Sequence, residues 1–154
     1  MITEINKTNI ADAAKVYMES WKDSHKDICS SEFIEKHDLD YMINYLNEKK
    51  ENGYDIFIDY NNENPVGIVG INPCDEEICL LYVLPEEQRK GFGEELLQYA
   101  LSLCKNPYIT VLDTNKKAID FYTKRGFFPA EKQPENFGNK RIFERKYVYQ
   151  NKNM

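Results

Sequence analysis

The sequence predicts an α/β (α+β) fold: one domain over residues 1–154, with a mixed, mostly antiparallel central sheet flanked by helices. Three observations predict it. YDIFIDY (54–60) and PVGIVGI (65–71) are separated by the turn-rich NNENP and read as a longer-loop hairpin. EEICLLYVL (76–84) is apolar at successive positions rather than alternating, the pattern of a central strand covered on both faces. A helix-period segment and a further strand follow it, which makes one strand-helix-strand crossover and puts one parallel pair into the sheet.

The elements follow in order. MITEIN reads as a short first strand. Ile10, Ala14, Tyr17, Met18 and Trp21 recur at helical spacing and predict an amphipathic helix over about 8–22, capped by Thr8 or Asn9. Helix resumes from Ser31 to Asn52, with a break near His37 to Asp40, and stops at Gly53. After the hairpin and the central strand, Leu96, Leu97, Ala100, Leu101 and Cys104 form the apolar face of a helix from Gly93 to Lys105. PYITVLD (107–113) is the next strand, NKKAIDFYTKRG (115–126) a helix stopped by Gly126, and KRIFERKYVY (140–149) the closing strand.

Composition narrows the function classes. With 42% hydrophobic and 30% charged residues the chain is an ordinary globular sequence. The apolar run ending at Leu84 is far shorter than the roughly 20 residues that span a bilayer, and the N-terminus has no apolar signal core, so a cytoplasmic protein without a membrane partner is expected. A net charge of −6 argues against nucleic acid as a partner and suits a cationic substrate. Cys29, Cys74, Cys79 and Cys104 have no CxxC spacing, and only His25 and His37 could join them, so they are expected to be free, mostly buried thiols with no metal site.

The segment with chemistry in it is PEEQRKGFGEEL (85–96), a glycine-bearing, positively charged turn between a strand and a helix. Unpaired N–H groups and the positive end of a helix dipole make such a turn an anion site, although glycines can also serve a tight turn alone. The third glycine of a dinucleotide fingerprint is missing, because Leu96 follows Glu95, and no GxxxxGK[ST] sequence occurs. Dinucleotide oxidoreduction and P-loop nucleotide hydrolysis are therefore not expected.

QRKGFG (88–93), on the strand LYVLP and ahead of a helix, resembles the pyrophosphate loop of the GNAT superfamily of N-acetyltransferases. NKKAIDFYTKRGF (115–127) is similar to a second segment of that family, N-x-x-A-x-x-[FL]-Y-x-x-x-G-F, at the expected separation. The resemblance implies acetyl-coenzyme A as cosubstrate, its pyrophosphate held by the backbone of Gln88, Arg89, Lys90, Gly91, Phe92 and Gly93. It implies a pantetheine arm laid along Leu81, Tyr82 and Val83, where the central strand parts from its parallel neighbour near Val83. Asn115 and Ala118 would stand beside that arm, Asn115 also being a helix cap. Tyr122 would give a proton to the departing thiolate.

Acetyl transfer to an amine also needs a base, since an alkylammonium must lose a proton before it attacks, and an N–H donor for the oxyanion. Glu77 lies eleven positions before Gln88, which matches a glutamate of the histone-acetylating branch, and is the candidate base. Glu76 is expected on the opposite face. His25 is expected either at the surface or on the acceptor pocket. Tyr17, Trp21, Phe33 and the loop PENFGNKR (134–141) are candidates for the acceptor wall, although Tyr17 and Trp21 also lie on the apolar stripe. The expected reaction is direct attack of a primary amine, on a small molecule or a peptide, in a ternary complex. The alternative is a non-catalytic acyl-coenzyme A sensing module of the same fold, and either form would be a monomer or a homodimer.

Overall fold

The computed structural model describes residues 1–130, 135–136 and 143–150. In chain order these form β1 (Ile2–Glu4), α1 (Ile10–His25), α2 (Ser31–Glu35), α3 (Leu39–Glu51), β2 (Asp55–Asn61), β3 (Asn64–Asn72) and β4 (Glu77–Val83). A 3₁₀ turn (Pro85–Glu87) leads to α4 (Phe92–Leu103), β5 (Tyr108–Leu112), α5 (Lys116–Thr123), β6 (Phe127–Pro129), β7 (Glu135–Asn136) and β8 (Phe143–Tyr149).

Side-chain chemistry sets several of these boundaries. The break expected near His37 is made by Asp38, whose carboxylate accepts the Tyr41 N–H at 2.9 Å and starts α3. Helix α1 runs three residues past its expected end at 22. Asn9 occupies its N-cap position without a side-chain cap bond, because its Oδ1 accepts from Asn6 N and its Nδ2 donates to the Glu4 carbonyl. Gly53 and Gly126, at φ of 89° and 96°, take the left-handed conformation that ends α3 and α5.

The strands lie in the order β1-β2-β3-β4-β5-β8-β6, with β7 attached to β8 alone. Strand β4 is the middle of the seven, as its unbroken apolar run requires. Every pairing is antiparallel except β4 with β5. β6 was not expected from the sequence: its three residues follow Gly126 directly and end in Pro129, a residue suited to an edge.

Alternation splits the core between the two faces. Ile56, Ile58, Ile68 and Leu80 pack with α1 and α3, on Ala13, Ala14, Val16, Met42 and Leu46. Phe57, Val69, Ile71 and Ile78 pack with Leu96, Leu97 and Ala100 of α4 and with Tyr122 of α5. The switch of face between Ile78 and Leu80 comes from a bulge: Ile71 pairs Ile78 and Gly70 pairs Leu80, which leaves Cys79 without a partner on β3. The four cysteines are free, as expected, but the expectation that most are buried is corrected, since Cys74 is exposed and the other three are only half-buried.

Helix α4 lies close on β3 because Gly67 has no side chain. A Cβ there would stand 2.6 Å from Leu96 Cδ1 and 3.1 Å from the Tyr82 carbonyl oxygen. Gly67→Ala is therefore expected to destabilise the fold by about 1–3 kcal/mol. A lower urea midpoint at unchanged m would register it.

Candidate active site

Strands β4 and β5 share one register pair, Glu77 with Tyr108. Beyond it β4 continues to Val83 and β5 to Leu112 without a further ladder pair, while β5 is paired along its whole length on the other side by β8. The strands therefore part six residues earlier than Val83, and Val83 stands at the wide end. The facing backbone groups of β4 are left for another partner, since an unpaired backbone group in a sheet is costly.

Two cavities open on this splay, of about 810 and 800 Å³. Both are walled by Leu81, Tyr82, Leu112, Asn115, Ala118 and Tyr122, so they meet along the gap. The second cavity runs to the glycine turn and takes in Val83, Gln88, Arg89, Gly91 and Gly93. Of the loop residues expected there, Lys90 and Phe92 are not on its wall, and Lys90 is paired with Glu87 at 3.1 Å.

The loop's backbone is built for close approach. Arg89 and Gly91 have φ of 66° and 94°, left-handed values that occur in anion-binding backbone concavities. Gly91 is the N-cap of α4 and offers no side chain to that helix's first N–H groups. A Cβ on Gly93 would make only ordinary contact with the Phe121 ring at 3.5 Å, so internal packing does not demand a glycine there. Gln88 Nε2 donates to the Val83 carbonyl at 3.2 Å and ties the turn to the end of β4.

Three cationic side chains that sequence reading did not single out, Lys26, Lys117 and Arg125, line the same cavity. Arg125 is fixed by a bond to Glu94, by donation to the Phe121 carbonyl at 2.8 Å and by stacking 3.8 Å above the Phe121 ring. Its signal in the sequence was its place one residue before Gly126, at the end of the second motif.

Tyr122 sits where the cavities meet and is 5% exposed. Burial, and secondarily Tyr82, push its hydroxyl far above the usual phenol value. Asn115 Oδ1 accepts the Ala118 N–H at 3.1 Å, so the capping role is present, and the same residue borders both cavities.

The first cavity holds Glu77 on its sheet side and Tyr17, Trp21, His25 and Phe33 on its helical side, where the sequence placed its acceptor-wall candidates. The candidate loop 134–141 lies outside the described residues apart from the backbone of 135–136. Trp21 is held between His25 and His37, with ring centroids 4.2 and 4.0 Å away and planes within 20° of parallel. Each imidazole Nδ1 meets a backbone carbonyl, Trp21 O at 2.8 Å and Phe33 O at 2.7 Å. A carbonyl only accepts, so each Nδ1 carries the hydrogen. Burial lowers the His25 pKa from its usual value. Tyr108 is a residue on this wall that sequence reading missed, because it is the register between two strand starts that brings it level with Glu77.

The sequence profile of the acetyltransferase (GNAT) family matches residues 13–127. The chain belongs to the GNAT acetyltransferase family. It is therefore an acyltransferase. No curated protein matches the chain in sequence. Among solved structures it resembles the PaiA N-acetyltransferase of Thermoplasma acidophilum in complex with coenzyme A, at TM-score 0.73 and 22% identity over 95% of this chain and 96% of that one. A ribosomal-protein alanine N-acetyltransferase of Escherichia coli gives TM-score 0.73 at 16% identity over 100% and 97%. A variant of the spermidine N-acetyltransferase SpeG of Vibrio cholerae gives 0.65 at 21% over 97% and 94%. At these identities the likeness is one of fold. Among the described residues of this GNAT chain no cluster of three or more His, Cys, Asp or Glu is placed to hold a metal, and no helix is long and apolar enough to cross a membrane.

Glu76 lies outside the strand. It precedes β4 in a left-handed turn at φ 64°, and its carboxylate accepts the Lys105 and Asn106 N–H groups, each at 2.8 Å. Those two bonds, Lys105 first, hold its carboxyl below the usual range. Folding thus favours the ionised form, and the stability it brings is present above the ordinary glutamate value of about 4.3 and lost as pH falls through the lowered one. Glu76→Gln should cost about 1 kcal/mol or less at pH 7, given solvent screening. Denaturation midpoints of the two proteins should converge in acid.

Proposed function

We propose that this chain transfers the acetyl group of acetyl-coenzyme A to a primary amine by direct attack in a ternary complex. The observation that carries the reading is the continuous path from the glycine N-cap of α4, along the splay, to Tyr122 between the two cavities. The second cavity takes the coenzyme. The amides of Gln88 to Gly93 meet its pyrophosphate, with Arg89, Lys117 and Arg125 supplying positive charge, and the freed edge of β4 from Leu81 to Val83 pairs with its pantetheine amides as a strand would. Bound there, the coenzyme supplies the activated acetyl thioester.

The first cavity takes the acceptor. Aromatic walls and the Glu77 carboxylate suit an ammonium, and the net charge of −6 favours its approach. The acceptor is thus a small cationic amine or a peptide amine, the two kinds named among the structural neighbours. Glu77 removes the ammonium proton, and a backbone N–H of β4 serves the oxyanion. Tyr122, a protonated phenol at the junction of the cavities, gives its proton to the thiolate sulfur.

Calorimetry with acetyl-coenzyme A, then thiol release across an amine panel that includes spermidine and short peptides, tests this. Coenzyme binding with no amine turned over would favour the sensing module, and no binding would remove both readings. Tyr122→Phe should bind coenzyme within about threefold of wild type and lose kcat by on the order of a hundredfold, the lower range for a lost general acid.

A further inference from the structure

At the closed end of the splay a single phenol bridges two carboxylates. Tyr108 Oη lies 2.7 Å from Asp75 Oδ2 and 2.9 Å from Glu77 Oε2. A phenol has one hydrogen, so it can donate to only one of two ionised carboxylates at a time. The second contact, at hydrogen-bond distance, is filled when the other carboxyl brings a hydrogen of its own. The cluster therefore has a place for one added proton, and that place is on the cavity side, since Glu77 and Tyr108 line the first cavity while Asp75 is exposed outside it.

We propose that Tyr108 and Asp75 form the exit route for the proton that Glu77 takes from the acceptor. This rests on the reading of Glu77 as the base. The ammonium N–H breaks and a Glu77 O–H forms. Glu77 passes that hydrogen to the Tyr108 oxygen while the Tyr108 hydrogen moves to Asp75, so the phenol is neither ionised nor doubly protonated. Asp75 releases the proton to water. The Tyr108 hydroxyl, now pointing at Glu77, turns back to Asp75, and the cluster is reset with one proton delivered to solvent.

The cluster is held by the strand ends themselves. Glu77 and Tyr108 are the one pair of the parallel ladder, Tyr108 N donates to the Glu76 carbonyl at 3.2 Å, and Glu77 N donates to Asp75 Oδ1 at 3.0 Å. The titratable and charged groups around it are Cys79 on β4, Tyr45 and Lys49 on α3, and Glu144 and Lys146 on β8. Lys146 Nζ stands 4.1 Å over the Tyr108 ring. Cys79 is pushed up to about 12 by burial and by Glu77, so the thiol does not compete for the role. Asp75 is held below the usual carboxylate range, first by Tyr108 and then by the Glu77 N–H, which makes it a group that gives its proton up to water.

The Tyr108 hydroxyl proton, followed by NMR in the full chain and assigned by its loss in Tyr108→Phe, reads the bridge without any acceptor. Both Asp75→Asn and Glu77→Gln should shift it. If only Asp75→Asn does, the hydroxyl serves Asp75 alone and the relay is overturned. The two carboxylate variants can be compared whether or not Tyr108→Phe folds. In turnover with spermidine as the probe amine, Tyr108→Phe should lower kcat by about tenfold, leave KM for acetyl-coenzyme A unchanged, and recover as imidazole buffer is raised, to which wild type does not respond. Loss of rate in Glu77→Gln with none in Tyr108→Phe would overturn the relay and keep the base. No loss in either would overturn both.

Discussion

One hydrogen-bonded pair governs this molecule. Glu77 and Tyr108 hold β4 and β5 together at a single point, and everything beyond that point depends on the strands being kept apart. A parallel pair left to itself would zip up, because each unpaired N–H or C=O in a sheet has a free-energy cost. Here β8 takes up β5 along its far side and β3 takes up β4, so each strand is anchored away from the gap. The V is thus a property of the whole strand order.

The two faces of the sheet divide the chemistry. One face, under α1 and α3, holds the aromatic wall and Glu77. The other, under α4 and α5, holds the glycine N-cap. The bulge at Cys79 links them, since it turns Leu80 and Tyr82 toward the first face and leaves Leu81 and Val83 on the second. Tyr82 then packs its ring 5.3 Å from Tyr17 and also borders Tyr122 at the junction.

Much of this was legible in the sequence, for reasons that can be named. The hairpin, the central strand and the helix after the glycine turn follow from apolar period and turn residues, which act locally and survive any tertiary context. Gly53, Gly91 and Gly126 show the left-handed φ that their places in the pattern imply. The cap at Asp38 was missed as a residue though the break it makes was seen. What could not be read was anything set by pairing across the sheet. The bulge at Cys79 depends on the register with β3, β6 on the company of β8, and the meeting of Tyr108 with Glu77 on two strand starts coming level 31 residues apart. Glu76 shows the same limit, because alternation assigns it a face only if it belongs to the strand, and its left-handed turn takes it out.

The placement of proton-bearing groups follows from this geometry. A phenol is protonated at neutral pH in any environment, and for Tyr122, at the interior junction of the cavities, burial strengthens that hold. On the proposed reaction the base discards a proton at every turnover and needs the opposite, a route outward, and Glu77 stands at the apex of the V, one residue from the turn that reaches solvent. Splaying two strands from one pair creates both environments together, a buried position at the junction of the two cavities and an edge where Glu77 and Tyr108 meet the exposed Asp75. On the proposed reaction, the group that gives a proton to sulfur and the group that takes one from nitrogen are thereby kept on separate routes, so neither needs to regenerate through the other.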